Sequence, residues 1–268
     1  MTEYFNTKNG TLFNEDCRDT VLCFDNDSID LVITSPPYNV GIPYDFYEDL
    51  MLKEEYFEMI YEIFDLLFTK LVNGGRIAVN IPYEVNFKYQ DQGRCFISSE
   101  YWSILKEIGY GWGGIVDLTE KSPHMVKRTA WGSWLSASAP YIYNPKECVL
   151  LAYKGQWKKM DKGKSYFNDS NKKEFMNYVM GKWPYRAETK KWTEANYSLD
   201  IPLTALKMLS YENDLIYDPF MGSGTTALAC EMMNRQWMGS EISKNYCEVA
   251  RKRILEITRK DIFFKKEN

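Results

Sequence analysis

Histidine is nearly missing from this sequence: 268 residues contain one, His124. Hydrolytic chemistry built on a Ser-His or Cys-His pair would have to run through that residue. It stands in a polar stretch with no nucleophile signature beside it, so this class is set aside. The six cysteines, Cys17, Cys23, Cys95, Cys148, Cys230 and Cys247, are scattered and form no C-x-x-C pair. With a single histidine to join them, no metal site is expected, and free thiols in a reducing compartment are. Long apolar runs are also lacking. No stretch approaches the roughly 18 uncharged apolar residues of a membrane span, and residues 1–9 are acidic and polar where a signal peptide would be basic and then apolar. The expectation is a cytoplasmic protein with no membrane partner.

A basic net charge is missing as well, since the chain carries −4 at neutral pH. That average conceals an asymmetry. Between Lys121 and Lys191 there are fifteen Lys and Arg against five Asp and Glu, a local +10, so the remainder carries −14. A basic face on an acidic protein is therefore expected.

With 45% hydrophobic residues the chain can bury a full-sized core, near the upper size of one domain, with room for a small insertion. Residues 29–34 (I-D-L-V-I-T) read as a buried strand stopped by Ser-Pro-Pro. Apolar residues at spacings of three and four between Glu54 and Leu71 predict a helix closed by Asn73-Gly74-Gly75, followed by a strand over residues 76–81. Ser98 or Ser99 is positioned to cap a helix ending at Gly109, and residues 115–118 and 148–153 read as strands. Asp200 is positioned to cap a helix reaching Ser210, ahead of a strand over residues 214–217. Helix, strand and helix then follow over residues 226–234, 236–240 and 243–258. This alternation implies an α/β fold with right-handed crossovers and a mainly parallel sheet covered on both faces. Residues 154–196, rich in Lys, Asn, Gly, Trp and Tyr, show no apolar period and read as an insertion.

Two segments carry the chemistry. In the first, D-L-I-Y-D-P-F-M-G-S-G-T-T from Asp214 to Thr226, a strand runs into a glycine turn that opens a helix. There Gly222 and Gly224 let the backbone approach a ligand and present N–H groups at the helix start. A plain strand-to-helix turn would use glycine too. However, Glu241 stands 23 positions after Asp218 at the end of the next strand, where a carboxylate can accept from both hydroxyls of a ribose. The loop lacks the Lys of a P-loop and the third glycine of a dinucleotide fingerprint, and Asp218 suits a cationic amine better than a pyrophosphate.

The second segment, Thr34-Ser35-Pro36-Pro37-Tyr38-Asn39, leaves the end of a strand at the sheet edge where ligands bind. Its prolines remove two N–H donors and fix φ, which keeps the carbonyls rigid acceptors beside a hydroxyl and a ring. Ser35 and the Pro36 carbonyl could accept both protons of an amino group on a planar base while Tyr38 stacks on its face. The plainer alternative is a rigid turn in which Tyr38 packs.

Together these residues resemble the amino-methylating DNA methyltransferases in the β-class order, where S-P-P-Y precedes F-x-G-x-G. The resemblance covers nearly the whole chain. It implies a Rossmann-like, circularly permuted sheet of seven mostly parallel strands, S-adenosyl-L-methionine as cofactor and double-stranded DNA as partner. It also implies target recognition by residues 154–196, between a catalytic half (1–153) and a cofactor-binding half (197–268). A homodimer and a companion restriction endonuclease are partners to look for on the same grounds.

Carried over by residue, Ser35, Pro36, Pro37 and Tyr38 form the catalytic segment. Asp218, Pro219, Phe220, Gly222, Ser223, Gly224 and Thr225 match the cofactor loop, and Glu241 matches the ribose acid. Asp16, with Cys17 beside it, matches the adenine-binding acid. Residues 199–209 resemble the helix closing the methionine pocket, with residues 196–202 in place of the family's His-Pro pair. Within the recognition segment, lysines would hold phosphates and Trp157, Trp183, Tyr185 or Trp192 would meet bases or pack locally.

No cysteine follows a proline as C5-cytosine attack would require. Serine at the head of the segment is more typical of N4-cytosine enzymes, and residues 130–134 (A-W-G-S-W) resemble such members. The expectation is N4 of a flipped-out cytosine, with N6 of adenine as the alternative. Two other classes stay open: an RNA or small-molecule methyltransferase, which would not need the basic insertion, and a non-catalytic DNA-binding relative, which would not need Ser35 or the glycines.

Overall fold

The run Ile29–Thr34 forms a strand that feeds two different cores, Ile29 and Val32 in one and Leu31 and Ile33 in the other, with an irregularity in its pairing between Ile29 and Leu31. Burial on both faces explains why it reads as continuously apolar rather than alternating. Around it the computed structural model describes residues 2–120, 136–139, 147–160, 163–188, 192–195 and 197–264. His124 and the segment 130–134 lie outside them.

In chain order the elements are β1 (Glu3–Asn6), β2 (Gly10–Phe13), α1 (Cys17–Leu22), β3 (Ile29–Thr34), α2 (Lys53–Lys70), β4 (Leu71–Pro82), β5 (Val85–Phe87), β6 (Gly93–Cys95) and α3 (Ile97–Ile108). They continue with β7 (Gly111–Glu120), β8 (Glu147–Tyr153), α4 (Lys172–Tyr178), β9 (Lys182–Tyr185), α5 (Asp200–Leu209), β10 (Leu215–Asp218), α6 (Thr225–Met233), β11 (Gln236–Ser240) and α7 (Lys244–Phe264).

The main sheet has nine strands in the order β1-β2-β11-β10-β3-β4-β8-β7-β9. Neighbours from β2 to β4 are all parallel, β8 is antiparallel to β4 and β7, and β1 is antiparallel to β2. The expected seven strands are the inner ones. An edge strand extends each side, β1 from the N-terminus and β9 from the stretch read as an aperiodic insertion, which also holds α4. Four residues alternating over a half-covered edge are too few to register as a period.

Helices α1, α2 and α3 cover one face, through Tyr56, Ile60, Phe64, Tyr101 and Leu105, and α5, α6 and α7 cover the other, through Ala205, Leu206, Ala227, Ala250 and Ile254. Two local expectations change. The helix expected to be capped at Ser98 or Ser99 begins two or three residues earlier than those caps would set, at Ile97, with Phe96 in the cap position and no side-chain cap. The glycines 74 and 75 lie inside β4 rather than closing α2, which ends at Lys70.

From β3 the chain moves through α2 to β4 on one side, and from β10 through α6 to β11 on the other. The ends of β3 and β10 therefore meet at the point where the winding direction reverses, the place where open α/β sheets bind ligands.

At the opposite edge a lysine stitches the same two strands. Lys159, with 3% of its side chain exposed, places Nζ 2.6 Å from Asp30 of β3 and 2.7 Å from Asp214, which precedes β10. Asp30 also accepts from the Leu215 N–H at 2.8 Å. This lysine of the basic stretch is therefore committed to the core and cannot reach a phosphate. Replacing it with methionine would leave the buried Asp214 carboxylate and the partly exposed Asp30 carboxylate without the cation between them. Lys159→Met is expected to lower the unfolding free energy by about 3–5 kcal/mol, read from denaturant titration at neutral pH; a loss below about 1 kcal/mol would contradict the clasp.

Candidate active site

Strand β3 stops at Thr34 because Pro36 and Pro37 cannot donate to a ladder, and β10 stops at Asp218 before Pro219. The two are parallel neighbours, so both turns leave the same edge. They are tied there. Thr34 Oγ1 donates to one oxygen of Asp218 at 2.7 Å, and Thr226 Oγ1 donates to the other at 2.6 Å. The Phe220 N–H adds a third bond at 3.0 Å. Burial pushes the Asp218 carboxyl up to about 6, against the three donors that favour its ionised form.

The glycine turn follows. Gly222 adopts φ +52° and Gly224 φ +79°, both in the left-handed region. Gly224 precedes α6 and sits against α7, where an added Cβ would lie 2.8 Å from the Ala250 Cβ. Gly222 instead faces open space, with no atom nearer than 3.8 Å to such a Cβ. Its N–H donates to Glu241 at 2.8 Å, and the Ser243 N–H donates to the other carboxylate oxygen at 2.8 Å. Beneath the turn, Arg253 donates to the Ser223 carbonyl at 2.7 Å and hydroxyl at 2.6 Å, while its guanidinium lies 4.7 Å from the Trp192 ring. Burial pushes Glu241 up to about 7, although both backbone donors favour its charge.

Across from the turn, Tyr38 places its hydroxyl 2.9 Å from Ser35 Oγ and 3.2 Å from the Asn80 carbonyl of β4. The Pro37 carbonyl accepts from Tyr56 Oη at 2.9 Å, whereas the Pro36 carbonyl receives no donor among the described residues. Asn39, at φ +57°, turns the chain into a loop held by the buried Asp49, whose carboxylate accepts the N–H groups of Asn39, Val40 and Ile42. That loop returns over the site. Its Asp45 accepts from Ser243 Oγ at 2.5 Å and from Asn245 at 3.0 Å, joining it to the start of α7.

The two turns share one cavity of about 1070 Å³. Its wall includes Asp16, Cys17, Ser35, Pro36, Pro37, Tyr38, Pro219, Phe220, Gly222, Ser223, Thr225 and Glu241. Asp218 and Gly224 are not on it. Asp218 is fully buried and its carboxylate already takes three donors, so it shapes the turn instead of facing a ligand amine; Gly224 serves the α6–α7 contact. Asp16 caps α1 and is gripped by the Arg18 guanidinium at 2.8 and 3.1 Å; burial raises its carboxyl, and the Arg18 bonds outweigh this to lower it.

Sequence reasoning missed Tyr44 and Tyr47, which line the cavity from the 39–51 loop, and Thr193, Ala195 and Tyr197, which line it from the stretch before α5. Neither stretch has a period, so clustered aromatics were the available signal. Among the aromatics of the basic stretch, Trp183 is buried in the core and Trp157 packs on Tyr153 and Arg76, while Tyr185 reaches the cavity.

The residues fit S-adenosyl-L-methionine. The open side of Gly222 admits a ligand against backbone, Glu241 is a recessed acceptor, and the volume exceeds that of a single small-ligand pocket, leaving room for a base beside a nucleoside.

A family model described as DNA methylase matches residues 29–252. The type II methyltransferase M.MjaVI of Methanocaldococcus jannaschii is 37% identical over 195 residues, spanning 71% of this chain and 93% of that one. Among solved structures, TTHA0409 of Thermus thermophilus in complex with S-adenosyl-L-methionine has a TM-score of 0.71 at 21% identity, over 91% of this chain and 93% of that one. The cytosine-N4-specific PvuII DNA methyltransferase has a TM-score of 0.64 at 21% identity, over 92% and 87%. At such identity these two likenesses are of fold.

Ribose hydroxyls would donate to the ionised form of Glu241. Affinity for S-adenosyl-L-methionine is therefore expected to rise as pH climbs through about 7 and to level off above it. Glu241→Gln should flatten that profile and weaken binding on the order of tenfold. Calorimetric titrations across this pH range measure both, and a flat profile in the parent protein would contradict the assignment.

Proposed function

The chain belongs to the DNA methylase family that modifies N6 of adenine or N4 of cytosine with S-adenosyl-L-methionine, and from that premise we propose that it methylates N4 of a flipped-out cytosine in duplex DNA. The observation that carries the proposal is that Ser35 and Pro36, which offer a hydroxyl and a carbonyl as acceptors, line the same cavity as the glycine turn and Glu241. When bound, the cofactor supplies an electrophilic methyl group on a sulfonium.

The residues of the chain do the rest. An exocyclic amino nitrogen is a poor nucleophile because its lone pair is delocalised into the ring. Accepting both amino protons, Ser35 and the Pro36 carbonyl favour a pyramidal nitrogen with its lone pair available. The prolines make this geometry rigid: the Pro37 carbonyl is already held by Tyr56, and the free Pro36 carbonyl cannot swing away. Tyr38 stacks on the base and offsets part of the few kcal/mol of unstacking that flipping costs. After transfer the nitrogen is strongly acidic, and its proton leaves to water without a stronger base. Serine in the first position is what favours cytosine over adenine.

We assign target recognition to the stretch 154–196 and phosphate contacts to its exposed Lys172, Lys173 and Lys182. Lys172 and Lys173 open α4, whose Phe175 and Met176 are also exposed.

Incubation with labelled S-adenosyl-L-methionine and duplex DNA, followed by nucleoside separation, is expected to place label in N4-methylcytosine. Label in N6-methyladenosine alone would reverse the choice of base, and none in DNA would overturn the proposal. Ser35→Ala should lower kcat on the order of a hundredfold with the cofactor Kd unchanged. The double variant Lys172→Ala, Lys173→Ala should weaken duplex binding irrespective of sequence and reduce the magnitude of the salt slope by about 2, measured by fluorescence anisotropy at several salt concentrations.

A further inference from the structure

We propose that the Tyr38 hydroxyl dictates where the Ser35 proton points, so that Ser35 meets the target amino group as a hydrogen-bond acceptor and never as a competing donor; this rests on the reading of Ser35 as an amino-group acceptor. A serine hydroxyl is ambiguous in principle, since it carries one proton and two lone pairs and rotates to suit its partners. Facing a base edge that offers both an amino donor and a ring-nitrogen acceptor, an unguided serine could donate to the ring nitrogen, or to water, as readily as it accepts.

The contacts around Tyr38 remove the ambiguity. Its Oη lies 3.2 Å from the Asn80 carbonyl and 2.9 Å from Ser35 Oγ. A carbonyl accepts only, and a phenol has one proton, so that proton goes to Asn80. Tyr38 is then left with lone pairs on the side of Ser35. The Ser35 proton therefore points at Tyr38, and both lone pairs of Oγ remain on the cavity side.

The acceptor at the end of this chain is fixed by the sheet. Asn80 is 1% exposed and pairs with Val149 across the β4–β8 ladder. Its side chain is held in turn, donating to Glu147 at 3.0 Å and to the Cys148 carbonyl at 3.3 Å. Burial, aided by the nearby Glu147 charge, holds the Tyr38 phenol well above its ordinary range, so it keeps its proton at neutral pH. The chain ends on a carbonyl that takes a hydrogen bond but not a proton. It orients Ser35 and does not conduct the proton released after transfer. Tyr38 thus has two separable parts, a ring that stacks and a hydroxyl that positions Ser35.

Single-turnover methylation of a duplex substrate by the parent protein, Tyr38→Phe, Ser35→Ala and the double variant tests this. Tyr38→Phe keeps the ring, and its rate is expected to fall about tenfold while the DNA and cofactor affinities stay within about twofold. In the Ser35→Ala background the same change should have no further effect, because the hydroxyl would have nothing left to orient. A Tyr38→Phe protein with the parental rate would overturn the proposal. Losses that multiply in the double variant would also overturn it, by showing that the hydroxyl acts elsewhere. Tyr38→Ala, which removes the ring too, should weaken DNA affinity; an equal weakening in Tyr38→Phe would make the hydroxyl a binding contact and refute the positioning role. Full activity in Ser35→Ala would instead sink the acceptor reading of Ser35 itself.

Discussion

The two halves of the site, 184 residues apart in sequence, are joined at the carboxylate of Asp218. One oxygen accepts from Thr34, the last residue before Ser35, and the other accepts from Thr226 in the first turn of α6. Burying a carboxylate is costly, and here the cost is offset by three donors, none of them a cation, while burial still raises the acid to about 6. A shorter or neutral side chain would leave one of the two turns without its anchor. The acid therefore shapes the site from behind.

Carboxylates recur through the site, each held differently. Asp49 folds the 39–51 loop through backbone N–H groups, Asp45 fastens that loop to α7, and Glu241 takes N–H groups from the glycine turn and from Ser243. Acids satisfied by backbone donors hold loops that have no apolar core of their own. Glu241 lines the cavity, as Asp45 does, and burial raises its carboxyl to about 7. At the other sheet edge the same physical problem is solved by charge, with Lys159 between Asp30 and Asp214. Strands β3 and β10 are thus clamped at both ends.

Much of this was legible in the sequence because strong local signals coincide with function. The apolar run before Ser-Pro-Pro, the period of three and four in α2, and β11 at residues 236–240 appear where the pattern puts them. Residues 35–38 and 219–225 stand out since proline and glycine restrict or free the backbone in ways that few other residues do. The edge strand β9 and helix α4 did not stand out, being short and half-exposed, and neither did the cavity-lining Tyr44, Tyr47, Thr193 and Tyr197, whose placement depends on loops closing over the edge.

By itself the sequence determined the types of the longer elements, the α/β class and the two motifs, because these rest on interactions within a few residues of chain: φ restriction by proline, freedom at glycine, and burial of one helical stripe. Tertiary structure alone decided what each polar group does. Asp218 and Glu241 are both acids beside the same glycine turn, yet one is buried behind it and one faces the cavity; Lys159 and Lys172 lie in the same basic stretch, yet one is locked in the core and one is exposed. The direction of the Ser35 proton is the furthest case, since it is set by a carbonyl on a neighbouring strand. Hydrogen-bond direction and burial depend on which strands become neighbours, and no local pattern encodes that pairing.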